Sequence, residues 1–293
     1  MGDRAAATPA HLLLTWFATR RRDLPWRGTR DPWAVLVSEL MLQQTQVARV
    51  VPRYQAFMDR FPTPAAMAAT PVADVVTRWA GLGHNRRAVN LHRAATAVVA
   101  DHDGRLPADL PGLLALPGIG PYTARAVLAF AFEQDVGVLD TNAARVHARW
   151  AGRRLGPAQA QAAADAAVPP GQGWAWNQAM LDLGATICTA RAPRCAACPV
   201  AARCGWWAQG APAPDPAVGS AGVAGGQSRF AGSDRQGRGR LVDALRRGQV
   251  EAGDLASAMG WPDDPQRAAR VAATLAVDGL AAVGPDGTWR LPR

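Results

Sequence analysis

The chain has 293 residues, 49% of them apolar, ample for a buried core in one large or two modest domains, which excludes a disordered protein. Its 32 basic residues exceed the 23 acidic ones, and the formal charge of +9 points to a polyanionic partner such as nucleic acid. Every basic residue is arginine, so no lysine amine exists to form a Schiff base and that class of mechanism is excluded.

No apolar run approaches the roughly 20 residues needed to span a bilayer. The amino terminus carries only a short His11-Leu12-Leu13-Leu14 stretch without a secretory design, so a cytoplasmic location is expected. From 9 to 208 apolar residues recur at three- and four-residue intervals between prolines and glycines, which predicts an all-α region. The expected helices cover 9–21, 31–47, 49–60, 72–80, 85–101, 109–115, 121–132, 141–153, 158–167 and 174–186. Residues 209–238 are rich in Ala, Gly, Pro and Ser and read as a flexible linker. Beyond it, helices over 239–247, 251–259 and 264–278 precede two short strands, Leu280–Val283 and Thr288–Leu291, around a Pro285-Asp286-Gly287 turn. That order suits a small winged-helix-like module over 239–293.

The most specific spacing is Cys188-x6-Cys195-x2-Cys198-x5-Cys204, all four cysteines of the chain within one short stretch. Four thiolates so spaced suit one inorganic centre, either zinc or [4Fe-4S], with two disulfides as the bland alternative. Arg191 and Arg194 lie in the first inter-cysteine loop, where they face phosphates or simply solvent. Leu116-Pro117-Gly118-Ile119-Gly120-Pro121-Tyr122-Thr123-Ala124 is a glycine turn between helices. Gly118 and Gly120 there would let backbone amides approach a phosphate, although any tight helix connection uses the same residues.

Two carboxyl groups stand out. Glu39 lies in the apolar run Val35 to Leu42, with Leu36, Leu42 and Gln43 on its side of the helix. Desolvation there would raise its pKa and let it serve as a general acid, unless it is a buried glutamate paired with an arginine. Asp140 precedes Thr141-Asn142-Ala143-Ala144 as a helix N-cap, which would hold it ionised. Carboxyl groups driven to opposite protonation states suit cleavage of a glycosidic bond.

Together, Leu24-Pro25-Trp26-Arg27, Ser38 to Val47, Leu116 to Ala124, Val138 to Asn142, Asn177 to Ala185 and the four cysteines carry a joint resemblance. Over 9–208 the chain resembles the adenine DNA glycosylases of the helix-hairpin-helix, endonuclease III-like superfamily. The resemblance implies a core with a six-helix half (24–135), a cluster-side half (9–23 and 136–208) and a [4Fe-4S] loop over 188–204. It implies that Glu39 protonates the adenine at N7, that Asp140 stabilises the positive sugar, and that Tyr122 and Asn142 assist by hydrogen bonding. Arg27 and Asp182 would line the adenine pocket with Leu42 against the base, while Gln44, Thr45 and His84 would sit by the opposite purine. The implied partner is double-stranded DNA with A:8-oxoguanine or A:G mispairs, from which adenine is extruded; a monomer in the bacterial nucleoid is expected.

Where bifunctional relatives place a catalytic lysine this chain has Tyr122, which implies a monofunctional enzyme. It departs from the family pattern at Gly81-Leu82-Gly83-His84, where a tyrosine is usual, and at Asp140-Thr141-Asn142, where a glycine is usual in the middle. The 239–293 module also stands where many members carry a nudix-like domain. Competing readings are a thymine or uracil mismatch glycosylase on the same fold and a non-catalytic iron-sulfur DNA-binding regulator.

Overall fold

The computed structural model describes residues 8–223 and 229–293. Helices α1 (Pro9–Arg20), α2 (Pro32–Leu42), α3 (Val47–Arg60), α4 (Pro64–Ala68), α5 (Val72–Arg78) and α6 (Arg86–Asp101) lead the chain. They are followed by α7 (Leu110–Ala115), α8 (Pro121–Phe130), α9 (Thr141–Ala151), α10 (Pro157–Ala167), α11 (Gly173–Thr186) and α12 (Gly205–Ala208). Last come α13 (Asp234–Arg247), α14 (Leu255–Met259), α15 (Pro265–Val277) and an antiparallel pair, β1 (Ala282–Val283) and β2 (Trp289–Arg290). Among the described residues no helix is long and apolar enough to cross a membrane.

Three differences from the expected elements have local causes. Helix α2 stops at Leu42, short of 47, because Gln44 takes a left-handed φ of 53° that no helix continues through. The short α4 has no amphipathic period to detect; Thr63 starts it by accepting from the Ala66 amide at 3.1 Å. Helix α13 begins at Asp234, ahead of 239, because Ser233 caps it.

The chain forms two compact units, one of residues 8–35, 108–110 and 120–223, the other of 36–107, 111–119 and 229–293. In the first, α1 and α11 pack around Leu13, Phe17, Trp176, Met180 and Leu183, with Val146 of α9 closing the cluster. Asn177 ties the strand-like entry to α9 into this core: its side chain accepts from the Val138 amide at 2.8 Å and donates to the carbonyls of Val136 and Gly173. Gly137 and Gly173 lie so close to neighbouring backbone that any Cβ would collide with it.

Residues 209–223, the front part of the expected linker, are fastened to this unit. The Asp215 carboxylate accepts from Arg149, Ser220 accepts from the Leu155 amide at 3.1 Å, and the Ala221 amide donates to the Leu155 carbonyl at 2.9 Å. Small residues thus hold the segment through polar contacts rather than through apolar burial, which composition does not register. Residues 224–228 of that linker lie outside the described residues.

The second unit contains the C-terminal elements as well as α3 to α6. Arg246 of α13 donates to the Val76 carbonyl at 2.9 Å and to Asn85 Oδ1 at 2.9 Å, and Asp278 pairs with Arg86 at 3.3 Å. Val250 bridges to Trp289 beside the hairpin.

His147 on α9 is 5% exposed, and burial lowers its pKa to about 4. The unfolded chain takes up a proton on this ring near the usual 6.5, whereas the folded chain resists down to about 4. Stability from this group is therefore present above that window and lost as pH falls through it, by about 3 kcal/mol. Urea denaturation of His147→Leu against the parent chain between pH 7 and 4 should show a flatter pH dependence in the variant.

Candidate active site

Glu39 sits on α2 at 4% exposure, among Val35, Leu36 and Leu40. Beyond it the chain turns through half-buried Leu42 and exposed Gln44 to Thr45, whose hydroxyl donates to the Leu82 carbonyl at 3.0 Å. Thr45 thereby touches the Gly81–His84 loop, so two segments expected to read the same purine are neighbours in one unit. His84 is exposed with a left-handed φ of 45°. Burial of its ring and the nearby Arg87 and Arg235 charges lower its pKa, which keeps the imidazole neutral and able to stack.

Between these segments lies a residue that sequence reasoning missed. Arg87, 7% exposed, donates to the carbonyls of Leu40, Met41, Gln43, Leu82 and Gly83 and to Thr45 Oγ1. Burial lowers its pKa to about 10, still far above neutrality, so it remains a cation. Its signal was its position: it falls on the apolar stripe of α6 with Leu91, Ala94 and Val98, where a charge needs a reason.

Asp140 caps α9 as expected, with Oδ1 accepting from the amides of Asn142 at 2.8 Å and Ala143 at 2.7 Å. Asn142 Nδ2 donates to the other oxygen at 2.8 Å. The direction of its pKa shift departs from expectation: burial outweighs these three donors and nearby Arg145, and the carboxyl's pKa is raised. Arg145 accounts for the rest of the arrangement, donating to Asn142 Oδ1 at 2.8 Å, to the Gly184 carbonyl at 2.7 Å and to the Cys188 carbonyl at 2.7 Å. A Cβ at Gly184 would meet Asn142 at 2.6 Å, so the close packing of α11 on the cap requires glycine there. Tyr122 lies half-buried in the first turn of α8.

Arg27 and Asp182 are brought together, but as an ion pair. The guanidinium grips the carboxylate with both Nη atoms, at 2.8 and 2.9 Å, while its Nε donates to Gln178 at 2.7 Å. Arg22 adds its own Nε at 2.6 Å and its amide at 3.1 Å. Burial pushes the Asp182 carboxyl up, yet Arg27 and Arg22 more than reverse this and hold it below the usual range.

Cys188, Cys195, Cys198 and Cys204 line one cavity with Arg149, Trp150, Leu183 and Trp206. Among the described residues no three His, Cys, Asp or Glu side chains close around a single metal ion. Burial, followed by the neighbouring thiols, raises the pKa of Cys195, Cys198 (to about 11) and Cys204, so four thiols crowded here favour a cationic centre that would take them as thiolates. Arg149, 1% exposed, donates to Cys188 Sγ at 3.2 Å and to Thr189 O at 2.8 Å. This all-sulfur donor set with a fixed cation beside it fits a thiolate-held cluster. Arg191 is exposed, and Arg194 spends its guanidinium on the Thr186 carbonyl. In the glycine turn, Gly118 has φ +77° and would drive a Cβ into Asn90 at 2.5 Å, whereas Gly120 faces open space at the start of α8.

Residues 37–170 match the model of the HhH-GPD superfamily of base excision DNA repair proteins. An adenine DNA glycosylase of Mycolicibacterium smegmatis is 42% identical over 95% of this chain and 94% of its own length. The chain belongs to the adenine DNA glycosylases. It is therefore an enzyme, a hydrolase of N-glycosyl bonds in base excision repair. The glycosylase is also 40% identical to the human adenine DNA glycosylase over 66% of this chain, which spans 38% of that protein. Among solved structures, a thermostable thymine-DNA glycosylase superposes with TM-score 0.62 at 31% identity, covering 68% of this chain and 94% of that one. A trapped endonuclease III–DNA covalent intermediate superposes at 0.58 and 23% identity over 66% and 90% of the two chains, which speaks for the fold alone.

Because Asp182 is 1% exposed and its partners are arginines, Asp182→Asn in the glycosylase leaves the buried Arg27 cation uncompensated. We expect a loss of about 3–5 kcal/mol in urea unfolding at pH 7. The parent's advantage should be present above the ordinary carboxyl range and disappear as pH falls through the lowered folded value.

Proposed function

We propose that the glycosylase removes adenine mispaired with 8-oxoguanine or guanine in double-stranded DNA and leaves an abasic site without cutting the strand. The observation that carries this is the pair of unlike carboxyl sites: Glu39 buried on an apolar helix, Asp140 surrounded by donors at the head of α9. Glu39 protonates the extruded adenine at N7, so the base departs as a neutral leaving group when the C1′–N9 bond breaks. Asp140, ionised, stabilises the oxocarbenium-like sugar, and Tyr122 and Asn142 assist through hydrogen bonds. Water adds to C1′ and passes its proton to the carboxylate left on Glu39, which restores the acid and completes hydrolysis to free adenine and the abasic sugar. Arg27 and Asp182 line the adenine pocket, with Leu42 against the base.

On the opposite strand, Gln44, Thr45 and His84 face the mispaired purine, an imidazole replacing the usual tyrosine. Gly118, Gly120, Arg191 and Arg194 contact the DNA backbone. Cys188, Cys195, Cys198 and Cys204 would hold a [4Fe-4S] cluster, which would supply a rigid anchor for its loop. With no lysine in the chain and tyrosine at 122, no lysine amine is available to attack C1′.

The test is single-turnover base release from duplexes carrying A, T or U opposite 8-oxoguanine or guanine. Adenine alone should be released, and Glu39→Gln and Asp140→Asn should each slow release roughly 10²- to 10⁴-fold while duplex binding persists. Release of T or U at a comparable rate would move the reading to the thymine and uracil mismatch enzymes. Borohydride should trap no covalent complex with abasic DNA. Because burial raises the Asp140 carboxyl, the acidic limb of the rate profile should lie above the ordinary aspartate range and vanish in Asp140→Asn. Cys198→Ser should lose the visible absorbance of the cluster.

A further inference from the structure

We propose that Arg87 is the positioning residue that sets Gln44 and His84 as one rigid pair against the purine opposite the adenine. The proposal rests on the opposite-purine reading of those two residues and adds what holds them.

Both are non-glycine residues in the left-handed region, with φ of 53° and 45°. Such a conformation is uncommon outside glycine and survives where its surroundings over-determine it. One guanidinium does so at both places. Nη1 donates at 2.6 Å to the carbonyl of Gln43, immediately before Gln44, and Nη2 donates at 3.0 Å to the carbonyl of Gly83, immediately before His84. The same fork reaches back to Leu40 and Met41 at the end of α2, at 2.6 and 3.0 Å, where unpaired helix carbonyls favour a cation. Thr45 Oγ1 completes the ring, accepting from Nη2 at 2.9 Å while donating to the Leu82 carbonyl at 3.0 Å.

Beneath the guanidinium lies Trp79, its ring centroid 5.4 Å from Cζ and its indole donating to the Gly83 carbonyl at 3.1 Å. A planar fork with several fixed donors can bind both loops at once, and an ammonium cannot. The two side chains therefore move together or not at all.

The experiment is single-turnover adenine release from duplexes with adenine opposite 8-oxoguanine, guanine or cytosine. Arg87→Lys should reduce the preference for 8-oxoguanine over cytosine by roughly tenfold, whereas a purely structural role would lower all three rates together and leave the ratio unchanged. In the arginine-bearing chain, Gln44→Ala, His84→Ala and the double variant should show non-additive effects on that ratio, with a coupling of roughly two- to tenfold that collapses in the Arg87→Lys background. If Arg87→Lys does not fold, the cycle in the arginine-bearing chain decides alone. Additive effects there, or an unchanged ratio in Arg87→Lys, would overturn the clamp. Unchanged ratios in Gln44→Ala and His84→Ala singly would overturn the opposite-purine reading, and the clamp with it.

Discussion

A guanidinium removed from water must find acceptors for its donors, and it remains charged at neutral pH. That requirement organises this protein. Arg145 meets it with the Asn142 side chain and the carbonyls of Gly184 and Cys188, Arg149 with Asp215, Cys188 and Thr189, and Arg27 with Asp182 and Gln178. Each cation converges backbone from segments far apart in sequence. A chain without lysine has only this fork for the purpose, and the fork imposes direction as well as charge.

The consequence for chemistry is clearest around α9. Asp140 is held by the helix it caps, the helix is held by Arg145, and Arg145 is held by the loop that opens at Cys188. This chain of bonds fixes the Asp140 carboxyl and resists its relaxation toward solvent. The cysteine loop is thereby tied to the cap by direct hydrogen bonds. Segment 209–223, reaching Arg149 through Asp215, adds a further restraint to the same corner of the unit.

The upward shift of Asp140 shows how local rules compete. Capping geometry alone argues for an ionised group, since two amides and an amide side chain all favour the anion. The low-dielectric surroundings disfavour the anion more than these donors favour it, and the pKa lies above the ordinary aspartate value.

Periodicity, caps and motif spacing were enough to set out most helices, the four-cysteine stretch, the Asp140 cap and the acidic residue on α2, because each depends on neighbours within a few positions. The joint motif match also placed the chain among adenine DNA glycosylases. What tertiary structure decided were partnerships across long separations. Arg87 reaching α2, Arg22 and Arg27 closing on Asp182, Asp215 seizing Arg149, and α13 settling on α5 leave no periodic trace. Short-range sequence encodes backbone preference, whereas burial and the partners of a buried charge are properties of the packed chain, and they set how a carboxyl titrates and how a loop is held.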